Sequence, residues 1–206
     1  MSRPALVDCL ESFNRKERFF LVAEALGNRK FSLCAEFKKK LHKAFHLPEF
    51  SEDVFVAMDY HLDWLYAALV LATGGAERKA ISNPIPDSNP PSRIIQGNQE
   101  DIDLLVAFEA IDGVNHVLLL EAKVESPWDK EQLERKFQRL DAIFADIGGR
   151  KPGYVRPHFA TVSADEEVSE EFLAKVELRS DGVLNGASKP VHIRIEGPIS
   201  PRHVVR

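Results

Sequence analysis

The sequence predicts an α/β protein in which a central mixed sheet of four to five strands is flanked by helices, with an added N-terminal helical region. Three observations lead to this fold class. Helical apolar patterns fill the first third of the chain, two apolar runs of strand length flank the Asp112-Gly113 pair, and a helical pattern follows the second run. A hairpin joined through a helix to a later strand is typical of a mixed sheet.

The N-terminal region, residues 1–50, is expected to be a helical elaboration. Residues 4–26 carry apolar side chains at helical spacing, as one helix or two, and Gly27 is a typical helix end. A further helix is expected over residues 33–45 because its apolar positions form one stripe. Pro48 ends it, since proline cannot continue a helix.

Residues 54–73 are expected to form one buried helix that begins after Ser51. Its apolar stripe consists of Phe55, Met58, Leu62, Leu65, Leu69 and Ala72. Residues 82–91 contain four prolines and are expected to be a loop. A short strand at residues 93–96 would lead from this loop into the hairpin.

The second half of the chain is expected to alternate between helices and strands. Ser126 can cap a helix over residues 127–146, which the Gly148-Gly149 pair would end. The remaining expected elements are a strand at 154–163, a helix at 167–175 and a strand at 191–196. We expect a single compact domain over residues 1–206, divided into the N-terminal elaboration, a core at 54–163 and a C-terminal helix and strand at 164–206.

Charged side chains interrupt both apolar strands of the predicted hairpin. Asp101 and Asp103 lie in the first strand, and Glu121 and Lys123 lie in the second. A charge is costly to bury unless it is paired or bound to a metal. We therefore expect the functional site at these positions.

The expected register of the hairpin brings three of these side chains together. With Gly113 near its centre, Asp103 faces Lys123, and Glu121 lies on the same side because side chains alternate along a strand. Their Cβ atoms would lie roughly 5–8 Å apart. Two carboxylates beside an ammonium group favour a hard divalent cation. Asp101 shares the face of Asp103, so the choice between them depends on register, and we choose Asp103.

The charge distribution separates a basic segment from an acidic remainder. The net charge of −5 argues against a wholesale polyanion binder, yet nine basic and only three acidic residues lie between Asn14 and His46. Such a segment is compatible with nucleic-acid binding, with a solvated helix face as the alternative. The candidate nucleic-acid contacts are Lys38, Lys39, Lys40 and Lys43.

Cysteine usage and hydropathy indicate a cytoplasmic protein without a membrane segment. Cys9 and Cys34 show no zinc or redox spacing and are expected to be free thiols, with Cys34 buried as a small apolar side chain. The first residues lack the apolar core of a signal peptide. The longest apolar run, residues 64–72, is far shorter than the ~20 residues that span a bilayer.

The predicted hairpin carries an aspartate in one strand and Glu-Ala-Lys at 121–123 in the next, and Gln132 lies in the helix that follows. This arrangement resembles the PD-(D/E)XK nuclease superfamily, which has the restriction-endonuclease-like fold. The resemblance covers about half of the chain. No proline precedes Asp103, so the literal signature is absent. The family core of one helix, three antiparallel strands, a helix and a further strand would map onto residues 54–73, 93–96, 100–110, 116–124, 127–146 and 154–163.

The resemblance implies a metal-dependent nuclease that hydrolyses phosphodiester bonds in DNA. Asp103 and Glu121 would hold Mg²⁺ or Mn²⁺, and Lys123 would orient or deprotonate the attacking water and stabilise charge on the phosphate. The supporting residues would be Asp101, Gln132 and Lys136. The additional acid that the family carries on its first core helix is not assigned among Asp59, Asp63 and Glu77.

Two alternatives stay open at this point. A catalytically inactive module with the same fold could bind nucleic acid or protein, its charged residues forming a buried ion-pair cluster. A hydrolase of small phosphorylated molecules is a third reading. DNA is the expected partner, although the sequence does not separate DNA from RNA, and a homodimer would suit double-strand cutting without any interface being visible in the sequence.

Overall fold

The computed structural model describes residues 5–14, 16–28, 31–74, 94–97, 100–123, 128–164 and 191–196. The predicted fold class is confirmed, because a five-stranded mixed sheet is flanked by helices and follows a helical N-terminal region. The expected loop at 82–91 and helix at 167–175 lie outside the described residues. The elements are α1 (Leu6–Phe13), α2 (Glu17–Ala25), α3 (Ala35–Phe45), β1 (Val54–His61), α4 (Leu62–Ala72), β2 (Asp101–Glu109), β3 (Asn115–Lys123), α5 (Lys130–Arg150), β4 (Val155–Ser163) and β5 (Val191–Arg194).

The strand directions create one edge of the sheet at which several strands end together. The strand order is β1-β2-β3-β4-β5, with antiparallel pairing from β1 to β3 and parallel pairing from β3 to β5. The carboxyl ends of β3, β4 and β5 therefore lie beside the amino end of β2. We call this side of the sheet the carboxyl edge. Ligands of α/β proteins commonly bind outside the carboxyl ends of parallel strands.

Helices cover both faces of the sheet. Val117 and Leu119 of β3 belong to the apolar cluster that α1, α4 and α5 close, which we call the α5 face. Leu118 and Leu120 point the other way and pack with Leu41 of α3, on the α3 face. No helix among the described residues is long and apolar enough to cross a membrane.

The expected helix at 54–73 is wrong in its first half. Residues 54–61 form β1, and only residues 62–72 are helical. A short run of apolar residues is compatible with the periodicity of a helix and with that of a buried strand. Residues 54–61 form a strand because they pair with β2. Ser51 thus precedes a strand, and residues 94–96 form none. The mapping onto the family core changes accordingly, since the first strand precedes α4.

The helix after the hairpin is longer and starts later than expected. It begins at Lys130, and Asp129 caps it by accepting a 3.0 Å hydrogen bond from the backbone N–H of Gln132. Ser126 lies outside the described residues. The helix continues through Gly148 and Gly149, whose cost of about 1 kcal/mol each is offset by packing of the buried neighbour Ile147.

The hairpin register differs by two residues from the expected one. Leu104 pairs with Leu120 and Glu109 with Asn115, so the hairpin is centred on Asp112. The turn closes through hydrogen bonds between Ala110 and Val114 and between Gly113 and Ala110, each 2.9 Å long. Gly113 has a φ of +78° and is not the centre of the loop. A shift of two residues leaves every side chain on its expected face.

The prediction that Cys34 is buried is also wrong. Cys34 is exposed at the residue before α3, whereas Cys9 of α1 is buried. The side chain of Cys34 is exposed, whereas the preceding Leu33 packs against the apolar cluster of the α3 face. Both thiols are free, as expected.

Candidate active site

Strands β2 and β3 separate at the carboxyl edge. Their pairing ends at Leu104 with Leu120, although both strands continue. Beyond that point, within the described residues, β2 continues to pair with β1 as far as Asp101, while β3 continues to pair with β4 as far as Lys123. The sheet thus opens into a fork at the level of the charged hairpin residues.

The carboxylate of Asp103 bridges this fork, and the carboxylate of Glu121 lies near it. Oδ2 of Asp103 accepts a 2.7 Å hydrogen bond from the backbone N–H of Ala122. The backbone N–H of Asp103 lies near the carboxylate of Glu121 and helps to lower the pKa of that group. The register of the hairpin, when continued, places Asp103 opposite Glu121 and not opposite Lys123 as expected. Asp103 therefore satisfies a backbone donor of β3 where the ladder is interrupted.

Glu121 is buried and lies against a buried lysine. Nζ of Lys136, on α5, lies 2.5 Å from Oε1 of Glu121 and donates a 2.7 Å hydrogen bond to the carbonyl oxygen of Asp101. Burial raises the pKa of Glu121 to about 7; Lys136 opposes this increase, and the nearby Asp103 carboxylate adds to it. Glu121 therefore changes its charge near neutral pH, and a bound cation would favour its ionised form.

Lys123 lies two residues beyond Glu121 on the same face. Its side chain is half-buried, and its neighbour on β4 is Ser163. No ion pair links Lys123 to another side chain in the part of the chain that the structure describes. The ammonium group is thus not committed to a described carboxylate.

The three predicted supporting residues, Asp101, Gln132 and Lys136, lie in different surroundings. Oδ2 of Asp101 pairs with Nζ of Lys16 at 2.6 Å, whereas its buried Oδ1 lies 2.8 Å from Nδ1 of His61 and has no hydrogen-bond partner among the described residues. Gln132 is exposed in the first turn of α5. Lys136, predicted as a support, lies at the centre through its contact with Glu121. Asp103 is the aspartate that lies opposite Glu121 across the fork.

The lysines of α3 do not share the face of this site. Leu41 and Phe45 bind α3 to the α3 face, opposite the side chains of Glu121 and Lys136. Near the carboxyl edge, Nζ of Lys40 donates a 3.0 Å hydrogen bond to the carbonyl oxygen of Arg194. The others are exposed or only half-buried: Lys38, Lys39 and Lys43.

Neither aspartate considered for the first core helix joins the two carboxylates. Asp59 pairs with Arg18 at 3.2 Å. Asp63 pairs with Arg139 and accepts hydrogen bonds from the backbone N–H groups of residues 96 and 97. Glu77 lies outside the described residues. Within the described ranges, no three His, Cys, Asp or Glu side chains are close enough together to hold a metal ion.

Sequence reasoning missed a polar group that adjoins the site. Thr161 of β4 is the register partner of Glu121, and His192 of β5 is the register partner of Thr161. Nδ1 of His192 lies 3.1 Å from Oγ1 of Thr161, and its Nε2 lies 3.4 Å from Oγ of Ser163. The polar residues at alternate positions 161 and 163 were the only sequence signal.

A second histidine contact was also missed. Nδ1 of His116 lies 3.0 Å from Nε2 of His158, and both side chains are buried. Their rings stack beside Phe45 and Phe108 on the α3 face, away from Glu121. This pair belongs to the packing of α3 and not to the candidate site.

Comparison with known proteins gives no relative. No protein-family model, curated protein or solved structure matches this chain. The chemistry of the site therefore carries the functional assignment by itself, since a fold alone does not define a function.

Proposed function

We propose that this protein is a metal-dependent nuclease that hydrolyses phosphodiester bonds in DNA. The observation that supports the proposal is the fork between β2 and β3, where Asp103 meets the buried Glu121 and Lys123 lies on the same face. Two carboxylates and an uncommitted ammonium group at the carboxyl edge suit a reaction at a phosphate.

The donor set fits a magnesium-type ion. Mg²⁺ is usually held by one or two carboxylates together with water and substrate phosphates, so a third protein ligand is not required. Burial and the charge of Asp103 both raise the pKa of Glu121, which is the electrostatic situation that a divalent cation relieves. Asp103 and Glu121 would hold Mg²⁺ or Mn²⁺, and the ion would polarise the phosphodiester.

The side chains have separate tasks in this proposal. Lys123 orients the attacking water and offsets the charge that develops on the phosphate. Lys136 holds Glu121 in place from the side of α5 and lowers its pKa, so that more of the carboxylate is ionised. Asp103 remains anchored through its bond to Ala122.

Plasmid and linear DNA incubated with Mg²⁺ or Mn²⁺ test the proposal. Glu121→Gln and Lys123→Ala should each reduce the cleavage rate by about a hundredfold or more, the effect of losing one group that stabilises developing charge. Glu109→Gln, an exposed position at the far end of β2, is the matched control. Cleavage that survives both site substitutions contradicts the assignment.

A second candidate function is a non-catalytic binding module. The observation in its favour is that both carboxylates already have structural partners, Ala122 for Asp103 and Lys136 for Glu121. Such a cluster could stabilise the fork without a ligand. This reading predicts that no divalent ion binds at the carboxyl edge, which calorimetric titration decides.

A further inference from the structure

Strand β1 forms one edge of the sheet, and its outer side is open. Its neighbour on the inner side is β2. Alternate residues of an antiparallel strand bond to one neighbour, so the residues between them direct their backbone N–H and C=O groups outward. Within the described ranges, no backbone group bonds to this outer side of β1. Such an edge is a template for pairing with another strand.

A groove of about 470 Å³ follows the first part of this edge, and we call it the edge groove. Its lining includes Val54, Phe55 and Val56 of β1 together with side chains of α1 and α2. Phe55 packs on the α5 face, whereas Val54 and Val56 pack on the α3 face. A groove that touches three consecutive residues therefore lies along the edge and not on one face. Phe20 of α2 adds an apolar surface to the groove, since its side chain is 53% exposed.

Carboxylates line the edge groove as well. Glu11 of α1 is one of them, and the others are Glu52 and Asp53, which come directly before β1. All three residues are exposed, and none forms an ion pair in the part of the chain that the structure describes. No lysine, arginine or histidine among the described residues lines the groove. The same three carboxylates also line an adjoining groove of about 660 Å³, to which Asp8 and Glu49 add negative charge.

The open strand edge and the carboxylates together select the kind of partner. Nucleic acid is negatively charged, so the carboxylates would repel it. A second copy of the chain, paired about a twofold axis, would bring the same patch against itself and place like charges together. A basic peptide is attracted by the carboxylates, and it can also supply backbone groups to β1 and apolar side chains to Phe20. Alternate side chains of an extended strand point to opposite sides, so one peptide can offer both kinds.

We propose that the edge groove binds an extended, basic segment of a partner protein, which adds as a further strand beside β1. Main-chain hydrogen bonds to residues 54–56 provide part of the affinity, and the side chains that line the groove select a basic sequence. The groove lies at the amino end of β1, whereas His61 at the other end of the strand pairs with Asp101 at the carboxyl edge. A bound partner therefore leaves the candidate active site open, and its binding does not depend on the proposed nuclease activity.

A fluorescently labelled synthetic peptide of alternating lysine and valine tests the proposal, with fluorescence anisotropy as the measurement. The full chain should bind it, and added salt should weaken the binding because the carboxylates are exposed. The same peptide with N-methylated backbone amides should bind about tenfold more weakly, since it cannot complete the main-chain hydrogen bonds. Glu11→Gln combined with Glu52→Gln should weaken binding about fivefold. Glu36→Gln, exposed on α3, is the matched control and should keep the wild-type affinity.

The proposal is overturned if the wild-type protein does not bind the lysine–valine peptide, or if the N-methylated peptide binds equally well. Equal binding of a glutamate–valine peptide contradicts it too, as does an unchanged affinity in the variant that combines Glu11→Gln with Glu52→Gln. Self-association of the wild-type chain in sedimentation, abolished by Phe20→Ser, would assign the groove to a second copy instead. The substituted residues are exposed, so each variant should keep the circular dichroism spectrum of the wild-type protein.

Discussion

Nζ of Lys136 lies 2.5 Å from Oε1 of Glu121, and both side chains are 6% exposed. The same ammonium group binds the carbonyl oxygen of Asp101. One lysine of α5 is therefore bonded to both strands of the fork. Without Lys136, burial raises the pKa of Glu121 further and favours its protonated form, while the carbonyl oxygen of Asp101 loses its donor.

Lys136→Met should lower the free energy of unfolding at pH 7 by about 1–3 kcal/mol, because Glu121 and the carbonyl oxygen of Asp101 each lose a buried hydrogen-bond partner. Lys123→Met is the matched control on the same face, and it should change stability by only about 0.5 kcal/mol. Urea denaturation at pH 7 measures both. Equal effects of the two substitutions would contradict the central position of Lys136.

Asp103→Asn should abolish the binding of Mn²⁺ while preserving the fold. The amide oxygen of asparagine can still accept the hydrogen bond from Ala122, so the melting temperature should stay near that of the wild-type protein. The charge that attracts the cation is lost. Isothermal titration with Mn²⁺ measures the effect, with Glu109→Gln as control. An unchanged Mn²⁺ affinity would remove Asp103 from the metal site.

The pair of His116 and His158 should make the protein less stable in acid. Burial lowers the pKa of His158 to about 3, and neighbouring positive charge adds to the decrease. Because the unfolded chain binds a proton near pH 6.5 and the folded chain does not, stability is fully present above that pH and falls below it. His158 alone should cost about 2 kcal/mol between pH 7.5 and pH 5.

His158→Phe is the variant that tests this effect, since a phenyl ring can still pack on Phe45 and does not titrate. The free energy of unfolding of this variant should decrease by about 2 kcal/mol less than that of the wild-type protein over the same pH range. His42→Ala should keep the wild-type pH dependence, because this histidine is exposed. Parallel curves for wild type and His158→Phe would show that His158 is not the titrating group.

Arg139→Lys should destabilise the protein although it preserves the charge. The buried guanidinium of Arg139 binds Glu100 at 2.9 Å and also pairs with Asp63, so it connects α5 to both α4 and the segment before β2. A lysine lacks the planar fork of donors. We expect a loss of about 1–3 kcal/mol in urea denaturation. Arg135→Lys, exposed on the same helix, is the control.

The face on which the charged hairpin residues lie could be predicted, although the predicted register of the hairpin was wrong. The expected centre was Gly113 and the observed centre is Asp112, so every cross-strand pair moves by two residues. Side chains alternate with a period of two, and Asp103, Glu121 and Lys123 therefore remain on one face. The partner of Asp103 could not be predicted, because it depends on the geometry of the turn.

The first half of residues 54–73 could not be assigned from local pattern. Apolar residues at these positions satisfy a helical stripe and also a buried strand. Hydrogen bonding with β2, some fifty residues away in the sequence, makes residues 54–61 a strand. The neighbourhood of Thr161 and His192 was hidden for the same reason, because only the parallel pairing of β3, β4 and β5 places them in register with Glu121.

The sequence by itself determined the fold class, the hairpin and the face on which its charges lie, since these follow from local periodicity and a turn signal. Only the tertiary structure decided that β2 and β3 separate at Leu104, that Lys136 neutralises Glu121, and that Asp101 is engaged by Lys16. These features depend on which distant segments share a buried environment. Burial determines the free-energy cost of each charged group, and a nearby group of opposite charge reduces that cost.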